Sequence, residues 1–269
     1  PAPEVAGGVR GWRRALAVWI PTVGYPTAFG LLLILAWEMA VALWQIPQFL
    51  LPAPSAIAVT MTLTFDALVF HSGWTLLETL LGFIIGTVFA FVCGVGISYS
   101  RFMQSAIYPV LVVVNTIPKI ALAPLILVWF GIGLMTNTVV VFLIAFFPVV
   151  VTTVDGLRSY EPEMIELART LQASSWDEFW KVRFPTALPS IFSGLKVSVS
   201  MAVGGSVVAG FISGKFGLGH LVISAVNVLN ITGMMAALVL LSVLAIVLFA
   251  LIAALERLVI PWSFHRKVD

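Results

Sequence analysis

The sequence predicts an all-α membrane protein, about six transmembrane helices with a two-helix loop on the cytoplasmic side. Three observations predict it. Of 269 residues, 61% are hydrophobic and 10% charged, with a mean hydropathy of +1.10, whereas a soluble domain carries about 25% charged residues. Six apolar segments each approach the roughly 20 residues a helix needs to cross a bilayer. Ten of the 26 charged residues are packed between Asp155 and Arg183, with apolar runs on both sides.

The six segments are 24–46, 75–98, 107–130, 136–154, 187–212 and 233–256. Each is expected to be helical, because an isolated apolar run in lipid must satisfy its own backbone hydrogen bonds. In the first, Ala40-Val41-Ala42 resembles a signal-cleavage site, but Glu38 inside the run and the long approach to it favour a retained span. The second carries Gly82, Gly86, Ala90, Gly94 and Ser98 at every fourth position, a smooth stripe for close helix packing. Pro109, Pro118 and Pro124 in the third predict a bend or a break. The fifth repeats the ladder with Ser190, Gly194, Ser198, Ala202, Ser206 and Gly210. Packing is the first expectation there, and hydroxyls such as Ser198 and Ser206 would also suit the border of a polar passage.

Basic residues set the orientation. Arg10, Arg13 and Arg14, then Arg101, then the charged segment, then Arg257, Arg266 and Lys267 all fall on one side, while 47–74, 131–135 and 213–232 hold only Lys215. Both termini and the charged segment are therefore expected in the cytoplasm. The chain divides into a cytoplasmic segment 1–23, a membrane domain 24–258 with its loop at 155–185, and a cytoplasmic tail 259–269.

Within that loop, Pro162 suits a first helical turn and Glu163 the positive end of the helix dipole. Met164, Ile165, Ala168 and Leu171 then share one face, while Glu163, Glu166 and Arg169 share another, an amphipathic pattern. Ser175 and Glu178 match a capping box opening a second short helix, with Trp176, Phe179 and Trp180 on one side and Phe184-Pro185 as its end. An interfacial hairpin anchored in headgroups would account for the tryptophans. The mixture of acids and bases suits docking to a protein partner better.

Little chemistry is available elsewhere. The lone Cys93 cannot form an intrachain disulfide, and His71, His220 and His265 are too scattered to suggest a metal site. A net charge of +2 gives no sign of a nucleic-acid partner. No G-x-x-x-x-G-K-[ST] loop occurs, so the chain is not expected to bind or hydrolyse ATP, or to be an enzyme. Lys119, with Asn115 one turn earlier, is an ionisable residue inside a span and hence a candidate for the substrate path. A structural pairing with a carboxylate or backbone carbonyl is the alternative. Glu38 is expected to cap or pair at the periphery of the bundle, and His71 and His220 to be ordinary loop residues.

The stretch ELARTLQASSWDEFWKVRFPTALP resembles the EAA signature of permease subunits of ABC importers. That signature reads Glu-Ala-Ala, three residues, Gly, nine residues, then Ile-x-x-Pro. Glu166 and Ala168 match its opening with Leu167 between them, Gln172 stands at the Gly, and Val182 and Pro185 match its close. Trp37-Glu38, LPAPSAI at 51–57, Gly82-Phe83, APLILVWFGIG at 123–133 and FGLG at 216–219 resemble the branch that imports nitrate, sulfonates and taurine. Glu78 stands where that branch often has Arg, and Gly210 where it often has Glu.

The resemblance implies a type I importer permease fold in a bacterial inner membrane, working as a pair of permeases with two ATP-binding subunits and an extracytoplasmic substrate-binding protein. ATP and magnesium would sit on the partner. The loop would be the coupling element, through Glu166, Ala168, Arg169, Gln172, Ala173, Ser175, Trp176 and Asp177, and Asn115, Lys119, Ser198 and Ser206 would border the path of a small nutrient. An ion-gradient-driven secondary transporter is the rival, expected to pair acids with bases inside the membrane and to lack a docking loop.

Overall fold

A computed structural model describes residues 24–262. The expected cytoplasmic segment 1–23, with Arg10, Arg13 and Arg14, lies outside the described residues, as do His265, Arg266 and Lys267 of the tail. Among the described residues every regular element is helical: α1 Tyr25–Leu43, α2 Pro54–Leu63, α3 Phe65–Tyr99, α4 Tyr108–Asn115 behind a π-helical turn at Met103–Ile107, α5 Lys119–Phe130 and α6 Leu134–Arg158. The hairpin helices α7 Pro162–Thr170 and α8 Ser175–Glu178 follow, then a second π-helical turn at Phe179–Arg183, α9 Phe184–Ser213, α10 Leu218–Asn227 and α11 Ile231–Val259. Five stretches are long and apolar enough to cross a membrane, and the pair around α4 and α5 makes a sixth if its two limbs are one span.

Helix α6 forms the centre. Val140, Val141, Ala145, Val149 and Val154 on it are fully buried, and α3 and α9 lie against its two sides. The small-residue ladders permit this. A Cβ added at Gly82 would stand 2.6 Å from the Val141 side chain, and one at Gly194 would collide with Thr152 Oγ1. Close backbone approach adds dispersion contacts where lipid gives no hydrophobic drive, so the packing use of both ladders is the one the fold displays. Helices α1 and α11 are peripheral, with 6% and 11% of their most apolar windows buried. Their leucine-rich surfaces face outward.

Two boundaries depart from the sequence expectation, and a third feature, the proline break, follows it. Helix α3 starts at Phe65, ten residues before the apolar run, so 47–74 holds α2 and the opening turns of α3 instead of loop. The run 107–130 is broken, its two limbs meeting at 94°. Proline disfavours helical geometry in the residue before it and lacks an N–H to continue the ladder, and Thr116 and Ile117 close α4 with tight bonds to Val113 and Val114. Finally, Phe184-Pro185 does not end the second hairpin helix. Ser175–Ile212 is one 38-residue helical stretch: the π-helical turn takes up the strain, and Pro185 falls in the first turn of α9, where a missing N–H costs little.

Candidate functional sites: a charged hairpin and a cavity at the helix break

The hairpin is built from local rules. Helix α7 begins at Pro162 after extended Glu161, with Glu163 in its first turn and Arg169 in its last. It ends in a Schellman motif. The Ala173 N–H donates to the Ala168 carbonyl at 3.0 Å and the Gln172 N–H to that of Arg169 at 2.9 Å, which puts Gln172 in the left-handed region at φ +59°. Gln172 thus adopts the conformation that glycine would hold without strain. The second helix is capped one residue earlier than the sequence suggested. Asp177 N–H donates to Ser174 Oγ at 3.1 Å, and Ser174 N–H donates to Asp177 Oδ2 at 3.3 Å. Ser174-Asp177 and Ser175-Glu178 both satisfy the box spacing, and the fold selects the first. Hydrogen bonds from Lys181 and Ser174 hold the Asp177 carboxyl down to about 2.

Glu178 is released by that choice to serve as the hairpin's internal anchor. It is buried at 7% exposure, accepts from Arg169 Nε at 3.0 Å and lies 3.9 Å from Arg183 Nη2. The Arg183 guanidinium is set over the rings of Tyr160 and Tyr99, 4.4 and 5.1 Å from their centroids. Phe179 packs with Leu157, Ala187 and Ile191, and its ring lies 6.0 Å from Tyr99. The hairpin is therefore rooted in α3, α6 and α9.

What it presents outward differs from a simple amphipathic helix. Only Ile165 of the expected apolar face is buried, with Ala168 partly covered, while Met164, Leu167, Leu171 and Trp176 are 48%, 57%, 74% and 70% exposed. Glu166, Arg169 and Gln172 are exposed beside them, Ser175 is exposed at the second helix, and Ala173 is half-buried. An apolar patch rimmed by mixed charges marks an interaction surface. Sequence reasoning missed Leu167 as part of it, and missed Glu178, Arg183, Tyr99 and Tyr160 as its support. Arg and Tyr within a stretch of acids were the available signal.

The second site is a cavity of about 460 Å³ at the Pro118 break, where α5 meets α6 and α9. Asn115, Thr116 and Lys119 line it from the break, and Ile144, Met201 and Gly204 from the helices opposite. Lys119 Nζ donates to the Asn115 carbonyl at 3.0 Å and to Asn115 Oδ1, and lies 4.7 Å from the centroid of the Phe147 ring. The backbone-carbonyl alternative and the cavity position thus coexist in one residue. Ser198 and Ser206 are not brought to this cavity. Both are buried, and their hydroxyls donate to the Ala145 and Val203 carbonyls at 2.7 and 2.8 Å. The cavity takes the adjoining face of α9, with Met201, Gly204 and Gly205.

A third polar cluster ties the FGLG segment to α3. Gly217 N–H donates to His71 Nδ1 at 3.0 Å and Leu218 N–H to Thr75 Oγ1 at 2.7 Å, while Glu78 accepts from Asn137 Nδ2 at 2.9 Å. His71 and His220 are therefore helical residues with rings 6.1 Å apart, not loop residues. Gly210 also has a steric reason, since a Cβ there would stand 3.1 Å from Gly219 Cα. Glu38 caps α2, accepting from Ser55 N–H at 3.0 Å and Ser55 Oγ at 2.7 Å. Between spans, Lys196 Nζ lies 2.8 Å from Glu256 Oε2, an ion pair that sequence spacing did not announce.

Residues 82–261 match the family described as binding-protein-dependent transport system inner membrane component. A probable ABC transporter permease protein of Haemophilus influenzae is 34% identical over 236 residues, 88% of this chain and 93% of its own length. The riboflavin transport system permease protein RibX of Chloroflexus aurantiacus is 34% identical over 265 residues, 98% of this chain and 97% of its own. Among solved structures, an inward-facing MetNI methionine ABC transporter superposes with a TM-score of 0.58 at 23% identity, covering 74% of this chain and 97% of that one. At that identity the likeness speaks for the fold.

Proposed function

The chain belongs to the binding-protein-dependent transport system inner-membrane component family, and on that premise we propose that it is the permease of an ATP-driven importer that couples through its 160–184 hairpin. Two copies of the chain would pair around a path for a small nutrient delivered by an external binding protein. Two ATP-binding subunits would dock on the hairpins from the cytoplasm of a bacterial cell, and both chain termini would lie on that same side. The riboflavin of one relative's name illustrates the size class of cargo.

The observation that carries this reading is the hairpin itself, with Met164, Leu167, Leu171 and Trp176 held exposed above a buried Glu178 that ties Arg169 and Arg183 together. A surface so costly to leave in water, yet so firmly supported, suits a socket on a soluble partner. Closure of the ATP-bound partners would move the hairpins, and α9, continuous with α8, would carry that movement into the bundle. The intramembrane pair Lys196–Glu256 is the kind of feature a secondary transporter would display, but such a transporter has no use for the hairpin.

The test is reconstitution. Copurified with its ATPase and binding protein in proteoliposomes, the complex should hydrolyse ATP faster when the loaded binding protein is present. Glu166→Lys should abolish that stimulation while the permease still inserts, since a reversed charge at a close contact costs several kcal/mol. An unchanged stimulation by Glu166→Lys would remove the hairpin from the coupling role.

A further inference from the structure

Resting on the importer reading, we infer that the cavity at the Pro118 break sorts cargo by charge and by bulk: Lys119 selects one negative charge, and Gly204 sets the largest body that passes. Among the described residues, Lys119 is the one charged residue that lines the cavity. Its ammonium has three donors. Two are spent on the oxygens of Asn115, neutral groups that leave the charge uncompensated, and the Phe147 ring lies beside the rest of the ammonium. An anionic head entering the cavity gains a charge-assisted bond there, with Thr116 as a further polar group at the break. A cation meets a like charge. A neutral molecule forgoes the charge attraction and is left with ordinary hydrogen bonds at the break and the apolar walls, Ile144 and Met201 among them. The volume of about 460 Å³ falls in the range of roughly 300–1,000 Å³ that small-molecule sites occupy.

The two glycines of α9 at this wall have different reasons to be glycine. At Gly205 an added Cβ would stand 2.7 Å from Ile144 Cδ1, so helix packing forbids a side chain. At Gly204 nothing lies within 4 Å. Glycine inside a helix is less favourable than alanine by about 1 kcal/mol, and packing within the described chain offers nothing in return at 204. The open space is what it provides. Any side chain there would project into the cavity and shorten the body that fits beside Lys119.

The experiment is calorimetric titration of the permease–ATPase complex in nanodiscs with butanesulfonate, butyltrimethylammonium, butanol and methanesulfonate. Butanesulfonate should bind at least about tenfold more tightly than the cation and the alcohol. Lys119→Gln should erase that preference and Lys119→Arg should keep it. Gly204→Leu should weaken butanesulfonate about tenfold while leaving methanesulfonate within about twofold, and Gly204→Ala should fall between. Equal binding of the three butyl probes, or a preference that survives Lys119→Gln, would overturn the charge selection. Equal loss of both sulfonates in Gly204→Leu would overturn the size selection. ATP hydrolysis in the same nanodiscs separates the two levels: an active complex that does not sort the probes refutes this inference alone, and a chain that recruits no ATPase refutes the importer reading.

Discussion

Replacing Glu178 by Gln tests whether the hairpin is a rigid body or a flexible loop. The carboxylate is 9% exposed and its partner Arg183 is 14% exposed, at 3.9 Å. Two unit charges at that distance attract by about 4 kcal/mol at an effective dielectric of 20. Gln keeps the shape and an acceptor for Arg169, whose side chain is 66% exposed, so solvent screening makes that contact a minor part of the difference. Arg183 keeps its two tyrosine faces in both forms, so those contacts cancel, while the desolvation that the carboxylate no longer incurs offsets about 2 kcal/mol. The net local loss is then about 2 kcal/mol, or roughly a thirtyfold rise in hairpin opening. Hydrogen exchange in nanodiscs reads it directly: amides of 163–182 should lose about thirtyfold protection while those of α6 between 140 and 154 stay unchanged. The pair Glu178→Gln with Arg183→Met should recover much of the loss, because replacing both members of a buried pair is often nearly neutral. Unchanged exchange in Glu178→Gln, or a double variant worse than the sum of the singles, would refute the buried anchor.

The remaining tests concern the same segment. Gln172→Gly relieves the left-handed strain and should stabilise the hairpin by about 1 kcal/mol, read as slower exchange with coupling intact, whereas Gln172→Pro removes the N–H bonded to Arg169 and should uncouple ATP hydrolysis from the binding protein. Ser174→Ala should cost about 1 kcal/mol of local stability and Ser175→Ala should cost little; the reverse order would restore the later cap. The Asp177 carboxyl, at about 2, lies below its usual value of roughly 3.9, so its contribution is complete above about pH 4 and fades as pH falls towards 2. Its side-chain carbon NMR shift should accordingly stay flat from pH 7 to about 4, and titration near pH 4 would contradict the cap.

The crossings were legible because lipid leaves an apolar run no alternative to helix, and Pro118 announced the break. The angle did not follow, since it is set by what the two limbs pack against. The cap was misplaced by one residue because Ser174-Ser175 and Asp177-Glu178 offer two overlapping solutions, and only the burial of Glu178 against Arg183 decides between them. Ser198 and Ser206 illustrate a similar ambiguity. A ladder of small hydroxyls reads alike whether it faces water or a helix, and here Ser198 bonds to α6 and Ser206 to its own helix. Lys119 was found from its charge alone, whereas Gly204 required the empty space around it.

The continuity of 175–212 makes the hairpin's second limb and a membrane crossing a single rod. Ser198 pins that rod to α6 through the Ala145 carbonyl, about 33 Å from Trp176 and about 9 Å from Gly204 along the axis. With the pin as fulcrum, a tilt of about 5° would swing the Trp176 end by nearly 3 Å yet shift the cavity wall by less than about 1 Å. On the importer reading the rod would then be a reducing lever, trading roughly fourfold travel for force. A coarse stroke at the hairpin would become a fine adjustment of cavity width, and such a gearing would be tuned by where the pin sits, not by how tightly the tip is held.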